Sequence, residues 1–356
     1  MAYRVAVLGA TGLVGRTMLR ILEQRELPAA DVVPLASERS AGTTLPFRGG
    51  EVTVRRAEPS AFEGIDLVLS SAGGSVSREL LPEAAARGAV SIDNTSAFRM
   101  DEDVPLVVPE VNAHRIPDYR ERRLIANPNC STIQLVVALK PLHDAFGLRR
   151  VTVATYQSVS GAGAQAVDEM FEETRAALGA ERFDRTVFPK PIAFNPLPQI
   201  DVFLEGGETK EEWKMRVETP KILEAEVPLH ATCVRVPVQV GHGEAVWIET
   251  ERPVDPAAAR ELLSSSPGIT VMDAPANPPG DDAYPTAVDC AGRDPVFVGR
   301  IRRDPTVDRG LAFWVVADNL RKGAALNAVQ IAEELFRLWE EAGGKEAYEA
   351  AAGAAV

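Results

Sequence analysis

A short β-branched run, Arg4–Leu8, breaks into Gly9-Ala-Thr-Gly12-Leu-Val-Gly15 and then into the amphipathic stretch Val14–Gln24. Strand, glycine turn and helix in that order leave a chain few ways to fold. The backbone must reverse where no side chain hinders it, and the helix that follows begins with unpaired N–H groups. Those groups, with the positive end of the helix dipole, attract a pyrophosphate. The spacing is Gly-x-x-Gly-x-x-Gly, one residue wider than the commonest dinucleotide fingerprint. Dinucleotide binding through Gly9, Thr11, Gly12, Leu13, Val14 and Gly15 is therefore expected, with a bare βα turn as the alternative.

The alternation continues through the first half. Asp31–Ala36 and Asp66–Ser70 read as strands, the second opening into Ser71-Ala-Gly73-Gly and a helix over Ser77–Arg87. Val90–Ile92 and Leu124–Ile125 follow. Such a βαβ succession implies a Rossmann-like α/β fold with a parallel sheet covered on both faces. After residue 130 the texture changes to longer alternating strands, Arg150–Val159, Ala231–Val240 and Ala245–Glu251, with helices over Ala164–Leu178 and Lys210–Leu223. That pattern predicts an α+β domain on a mixed or antiparallel sheet. Residues 273–296 read as an extended loop, and Ala324–Glu341 as a last strong helix packing back on the first domain. The stretch from about Gly343 to Val356 is expected to be a fraying helix terminus or a disordered tail. Two domains follow: 1–128 with the C-terminal helix of about 320–345, and 129–319.

Composition narrows the function. The 356 residues are 46% apolar and 25% charged, ordinary for a soluble globular chain. The start carries no secretory signal and no segment is long and apolar enough to span a bilayer. A net charge of -13 disfavours nucleic acid and anionic membrane as partners, though not a small anionic substrate. Three widely spaced cysteines argue for a reducing cytoplasm, and four histidines without metal-ligand spacing imply no metal site.

Chemistry concentrates at Ala126-Asn-Pro-Asn129-Cys130-Ser-Thr, where a loop becomes the apolar run Ile133–Leu142. A thiol at a helix start is favoured as thiolate, the form that attacks acyl carbons. A buried, inert cysteine fits the same pattern. His242, after the Gly241 turn, is placed to swing toward Arg235 as a proton shuttle, or is a structural histidine. Glu211 and Lys214 share a helix face, as a binding pair or an exposed surface pair. Arg99, after a strand end, is a phosphate fork or solvated. Gln157 precedes a second small-residue loop holding Ser160 and Gly161, a ligand approach or a plain turn. Ser37, Arg39 and Ser40 after the second strand suit the 2′-phosphate of NADP, while Glu38 suits NAD as the weaker alternative. Ser71 and Gly73 line the next βα turn.

Together these segments resemble the aspartate-β-semialdehyde dehydrogenases from Val5 to about Glu334. The anchors are GATGLVG, ASERSAG, SSAGG, SAFRM, NPNCSTIQ, YQSVSGAG, EEWKMRVETPKIL, RVPVQVGHGEAVWIE, VFVGRIRRD and DNLRKGAALNAVQIAE. The resemblance implies NADPH-dependent reductive dephosphorylation of L-aspartyl-4-phosphate to L-aspartate-4-semialdehyde, a step toward lysine, threonine, methionine and isoleucine. It makes Cys130 the nucleophile, His242 the acid/base and Gln157 the residue orienting the substrate. Arg235 would grip the α-carboxylate and Glu211 the α-ammonium. Arg99, Lys214 and Asn129 would hold the phosphate, and Asn319 would meet the nicotinamide end of the cofactor. A cytoplasmic homodimer, with a tetramer as a further option, is the implied assembly, the second domain forming the interface. Gly243 departs from the family, which often has Ser there. An acetylglutamyl-phosphate reductase would lack an ammonium to pair with Glu211, and a glyceraldehyde-phosphate dehydrogenase would carry a Ser-Cys-Thr-Thr-Asn loop. A non-catalytic nucleotide-binding relative is disfavoured because every charged anchor is present.

Overall fold

The computed structural model describes residues 3–25 and 27–353. Internal contacts divide the chain into two units, Met1–Pro128 with Ala324–Val356, and Asn129–Gly323. The first unit runs β1 (Tyr3–Leu8), α1 (Leu13–Gln24), β2 (Ala29–Ala36), β3 (Thr44–Phe47), β4 (Gly50–Thr53) and β5 (Arg55–Arg56). It continues with β6 (Leu67–Ser70), α2 (Gly74–Ala86), β7 (Val90–Asp93), α3 (Pro109–Asn112) and β8 (Leu124–Ala126). The second unit opens with α4 (Cys130–Phe146), β9 (Leu148–Ser158), α5 (Ala164–Leu178), α6 (Lys210–Leu223), β10 (Leu229–Val236) and β11 (His242–Thr250). There follow α7 (Pro256–Ser264), β12 (Ile269–Val271), α8 (Ala287–Cys290), β13 (Val296–Arg303) and β14 (Gly310–Ala317). The chain then returns to the first unit as α9 (Leu326–Glu341) and α10 (Lys345–Gly353).

In the first unit the sheet order is β5-β2-β1-β6-β7-β8, and every pairing is parallel. The order reverses at β1 and β6, so the loops leaving those strands open a crevice at their carboxyl ends, the usual ligand position in such sheets. Both faces of the strands are buried: on one, Val5, Val7, Leu67, Leu69, Val90 and Ile92 pack in a core with Met18, Ile21, Leu22, Phe336 and Trp339, and on the other Ala6, Leu8, Val68 and Ser91 are covered. Of the two alternatives for the C-terminal stretch, Lys345–Gly353 takes the helical one, as α10. Glu349 on it takes a two-pronged bond from Arg123 at 2.7 and 2.8 Å. Residues 354–356 of that expectation lie outside the described residues.

The second unit is built on a mixed sheet, β10-β9-β11-β14-β13-β12. β10 and β9 are parallel, whereas β11 runs antiparallel to both β9 and β14. Alternation sends Val151, Val153, Thr155 and Gln157 of β9 to the face covered by helices. The same face carries Cys233 and Arg235 of β10 and His242, Glu244, Val246 and Ile248 of β11. The opposite face leaves Tyr156 and Trp247 exposed. The predicted strand over Ala231–Val240 stops at Val236, because Pro237 cannot donate to the ladder and Val238 N–H turns back onto Val236 O. The extended loop predicted over 273–296 contains one helical turn, α8. Helix α7, strand β12 and strand β14 are further elements beyond the expected ones, α7 starting at the Asp255-Pro256 cap and β12 after the Pro267-Gly268 turn. No helix among the described residues is long and apolar enough to cross a membrane.

The glycine turn has no spare volume. A β-carbon on Gly15 would fall onto the Gly9 carbonyl oxygen and lie 2.7 Å from Ala10 Cα, both backbone atoms. Gly15→Ala is expected to cost about 1–3 kcal/mol in urea denaturation and to weaken dinucleotide binding. Unchanged stability and affinity would show that the turn relaxes freely.

Candidate active site

In the first unit the predicted cofactor residues meet at the β1 and β6 turns. Gly9 has φ +86°, and a β-carbon there would stand 2.6 Å from Ser71 O, so the two turns touch. Helices α1 and α2 are capped by Gly12 and Gly73 with no side-chain cap and no acid in the first turn. By contrast α4, α6 and α7 have Asn129, Thr209 and Asp255 on their first N–H groups. Leaving two helix starts unsatisfied at the mouth of one crevice suits an anion supplied from outside. Ser37 opens a short 3-10 turn holding Glu38, Arg39 and Ser40. Glu38 faces Arg56 at 3.5 Å, while Arg39 is exposed.

Arg99 is not a solvated surface residue. It is buried, its Nε donating to Asn127 O and its Nη2 to Asn94 O, both at 2.9 Å. Three asparagine amides lock these carbonyls in place: Asn127 Nδ2 donates to Asn94 Oδ1 and Asn327 Nδ2 to Asn127 Oδ1, each at 2.6 Å.

In the second unit Cys130 is the first residue of α4 and partly exposed. The cap Asn129 accepts from Ser131 N–H at 3.0 Å and Thr132 N–H at 3.2 Å through one oxygen. Two carboxylates of α6 fix that cap: Glu218 Oε2 accepts Asn129 N–H at 2.7 Å, and Glu211 Oε1 accepts Asn129 Nδ2 at 2.8 Å. Gly323 closes the other side, where a β-carbon would press to 3.0 Å of Cys130 Cβ.

Glu211 is buried at 4% exposure, so its bond with Lys214 at 3.0 Å is not the surface pair that the sequence equally allows. Its Oε1 also accepts Gln157 Nε2 at 3.0 Å, and Gln157 Oε1 is held by Thr155 Oγ1 at 3.0 Å. Burial alone would raise the Glu211 carboxyl, but Lys214, aided by the Asn129 and Gln157 amides, brings it down to about 2. Lys214 is held on its other side by Asp201 at 3.1 Å.

Strand register brings the remaining pieces together. Arg235 of β10 stands opposite Gln157 of β9, and its Nη1 donates to Ser158 O at 2.7 Å. Burial weakens the proton's hold on the guanidinium, against Glu211 and Cys130, whose charges strengthen it. His242 is fully buried, with Nδ1 accepting Ser158 N–H at 3.0 Å. A backbone N–H only donates, so the neutral ring carries its proton on Nε2, which has no hydrogen-bond partner among the described residues. Burial and then the Arg235 cation push this imidazole down to about 3, leaving it neutral at physiological pH. Arg235 and His242 converge on Gly161: a β-carbon there would meet Arg235 Nη1 at 2.9 Å and His242 Nε2 at 3.2 Å. Asn319 braces this corner, accepting Gly241 N–H at 2.9 Å and Ser158 Oγ–H at 3.0 Å and donating to Ser160 Oγ at 3.0 Å.

Sequence reasoning missed Ser158, Thr155 and Glu218. Only Glu218 left a trace, two helical turns beyond Glu211 on the same face of α6. Cys233 and Cys290, expected to be structural, are buried, and burial raises both thiols, Cys290 to about 12. Cys290 sits on α8 rather than in a loop.

A partly exposed cysteine at a helix start near an arginine, that arginine converging with a neutral buried histidine, in a chain that also carries a dinucleotide-type sheet, defines a thiol-dependent dehydrogenase class. The semialdehyde dehydrogenase NAD binding domain matches residues 4–119, and the semialdehyde dehydrogenase dimerisation domain matches 139–322. The aspartate-semialdehyde dehydrogenase of Aquifex aeolicus is 54% identical over 340 residues, 95% of this chain and 99% of that one. The crystal structure of the Vibrio cholerae aspartate semialdehyde dehydrogenase II complexed with ASA superposes at TM-score 0.91, with 49% identity, covering 95% of this chain and 99% of that one. That of Candida albicans with NADP superposes at 0.71 with 26% identity, covering 94% and 98%. The chain belongs to the aspartate-semialdehyde dehydrogenase family.

Glu211 gives the site a pH signature. A carboxyl lowered from 4.5 to about 2 binds fewer protons folded than unfolded, so its stabilisation is complete above pH 4.5 and lost as pH falls toward 2. The arithmetic is about 3 kcal/mol at neutral pH. Urea titrations of wild type and Glu211→Gln should differ most near pH 7 and converge toward pH 2. A gap independent of pH would remove the charged-hub account.

Proposed function

We propose that the chain reduces L-aspartyl-4-phosphate to L-aspartate-4-semialdehyde, releasing phosphate, with Cys130 carrying the acyl group between the two half-reactions. The convergence of Cys130, Arg235, Gln157 and His242 at the helix-covered end of one sheet carries this reading. The Cys130 thiolate adds to the acyl phosphate carbon, and phosphate leaves to give a thioester. Negative charge that develops on the acyl oxygen is met by α4 N–H groups and by the Nε2–H of His242, the acid/base partner. Gln157 orients the substrate, Arg235 takes its α-carboxylate in a two-pronged bond and Glu211 its α-ammonium. Lys214 and Asn129 hold the phosphate.

Bound NADPH supplies the hydride that turns the thioester into an aldehyde. The uncapped starts of α1 and α2 suit its pyrophosphate. Thr11, Leu13, Val14 and Ser71 supply further contacts. Glu38 is engaged by Arg56, so exposed Arg39, with Ser37 and Ser40, favours the 2′-phosphate of NADP over NAD. The product feeds the lysine, threonine, methionine and isoleucine routes, a cytoplasmic task. The apolar open face of the second sheet, with Tyr156 and Trp247 exposed, supports a homodimer through that unit, a tetramer being a further assembly of it.

Phosphate-dependent reduction of NADP by aspartate semialdehyde tests the substrate directly. Cys130→Ala should lower it about a thousandfold or more with dinucleotide affinity kept. No turnover of this substrate alongside turnover of acetylglutamate semialdehyde would overturn the assignment. Arg39→Ala should raise the KM for NADP about tenfold and that for NAD less than about twofold. Equal shifts would remove the 2′-phosphate role.

A further inference from the structure

Glu244 lies two residues along β11 from His242, on the same helix-covered face, and has no exposed surface. Neither of its carboxyl oxygens has a hydrogen-bond partner among the described residues. Its ladder neighbours are Thr155 on β9 and Val315 on β14, which offer no cation. The Cys233 thiol of β10, itself neutral, lies close enough to feel a charge on Glu244. Burial therefore pushes Glu244 well above the usual carboxylate range, the adjacent Gln134 amide pulling the other way.

Gln134 supplies the geometry. Its Nε2 donates to the main-chain oxygen of His242 at 3.0 Å, and that oxygen can only accept. The amide is thereby oriented, and its Oε1 faces away, fully buried and also without a donor. One turn earlier on α4, Ser131 Oγ is buried and unpartnered too. A protonated Glu244 supplies the donor that Gln134 Oε1 lacks, whereas an ionised one has only the remaining Gln134 N–H to meet it. A small rotation, or one internal water, closes the gap.

We propose that Glu244 is a positioning residue, a neutral carboxylic acid whose O–H donates to Gln134 Oε1, directly or through one water, and so holds the His242 main chain and its imidazole in place. The chain of bonds then runs Glu244 to Gln134 to the His242 carbonyl, behind the ring rather than in contact with substrate. This rests on His242 serving the reaction.

Infrared difference spectra of full-length wild type minus Glu244→Gln at neutral pH test the protonation without turnover. A deuterium-sensitive carboxylic acid C=O band is expected; carboxylate bands in its place overturn the proposal. Kinetics test the positioning. Glu244→Gln keeps a neutral donor and should retain kcat and its pH profile. Glu244→Leu and Gln134→Leu should each lower kcat about tenfold or more while leaving the semialdehyde KM within about twofold. The double variant should be no slower than the worse single, since both cut one path. Full kcat in Gln134→Leu, or a loss in Glu244→Gln equal to that in Glu244→Leu, would overturn it. A carboxylic acid band in an enzyme indifferent to loss of His242 would fault the site reading instead.

Discussion

One buried carboxylate organises the second unit. Glu211 takes the cap amide of α4, the amide that ends β9 and the ammonium of Lys214, and so ties three elements distant in sequence. Ionised and buried, it would be costly without those donors, and with them each donor is fixed in direction. The position of Cys130 follows from that bond set, because its helix starts where Asn129 is held. Glu218, on the main-chain side of the same asparagine, prevents the cap from rotating about its own side chain.

The sheet adds what the helices cannot. Parallel pairing of β9 and β10 sets Gln157 beside Arg235, and the antiparallel entry of β11 brings His242 to the same end and face. Ser158 then serves both: its carbonyl accepts from Arg235 and its N–H orients the imidazole. Cation and neutral ring sit against one glycine, which explains why Gly161 bears no side chain independently of any ligand.

Much of this was legible in the chain, and the limit has a physical form. The glycine turn, the Asn129 cap and the alternation ending at Gln157 and Arg235 are local, written in spacings that backbone geometry reads directly. Burial of Glu211 was not, since an i, i+3 acid–base pair looks alike on a wet or a dry helix face. Nor was strand register, which decides that Ser158 rather than any nearby polar residue anchors the histidine. The bend at Pro237 replaced a long alternating strand by a short one, and α10 emerged from a small-residue stretch because Arg123 and Arg120 give it partners far away in sequence. Contacts between remote residues leave no periodic mark.

Gly243 marks a trade of volume across the sheet. The Trp314 indole lies over it so closely that an added β-carbon would overlap ring atoms, and the same indole leans on Tyr156 at 5.6 Å. Bulk absent from one strand is thus supplied by its neighbour. A side chain at position 243 is therefore compatible only with a slimmer residue at position 314.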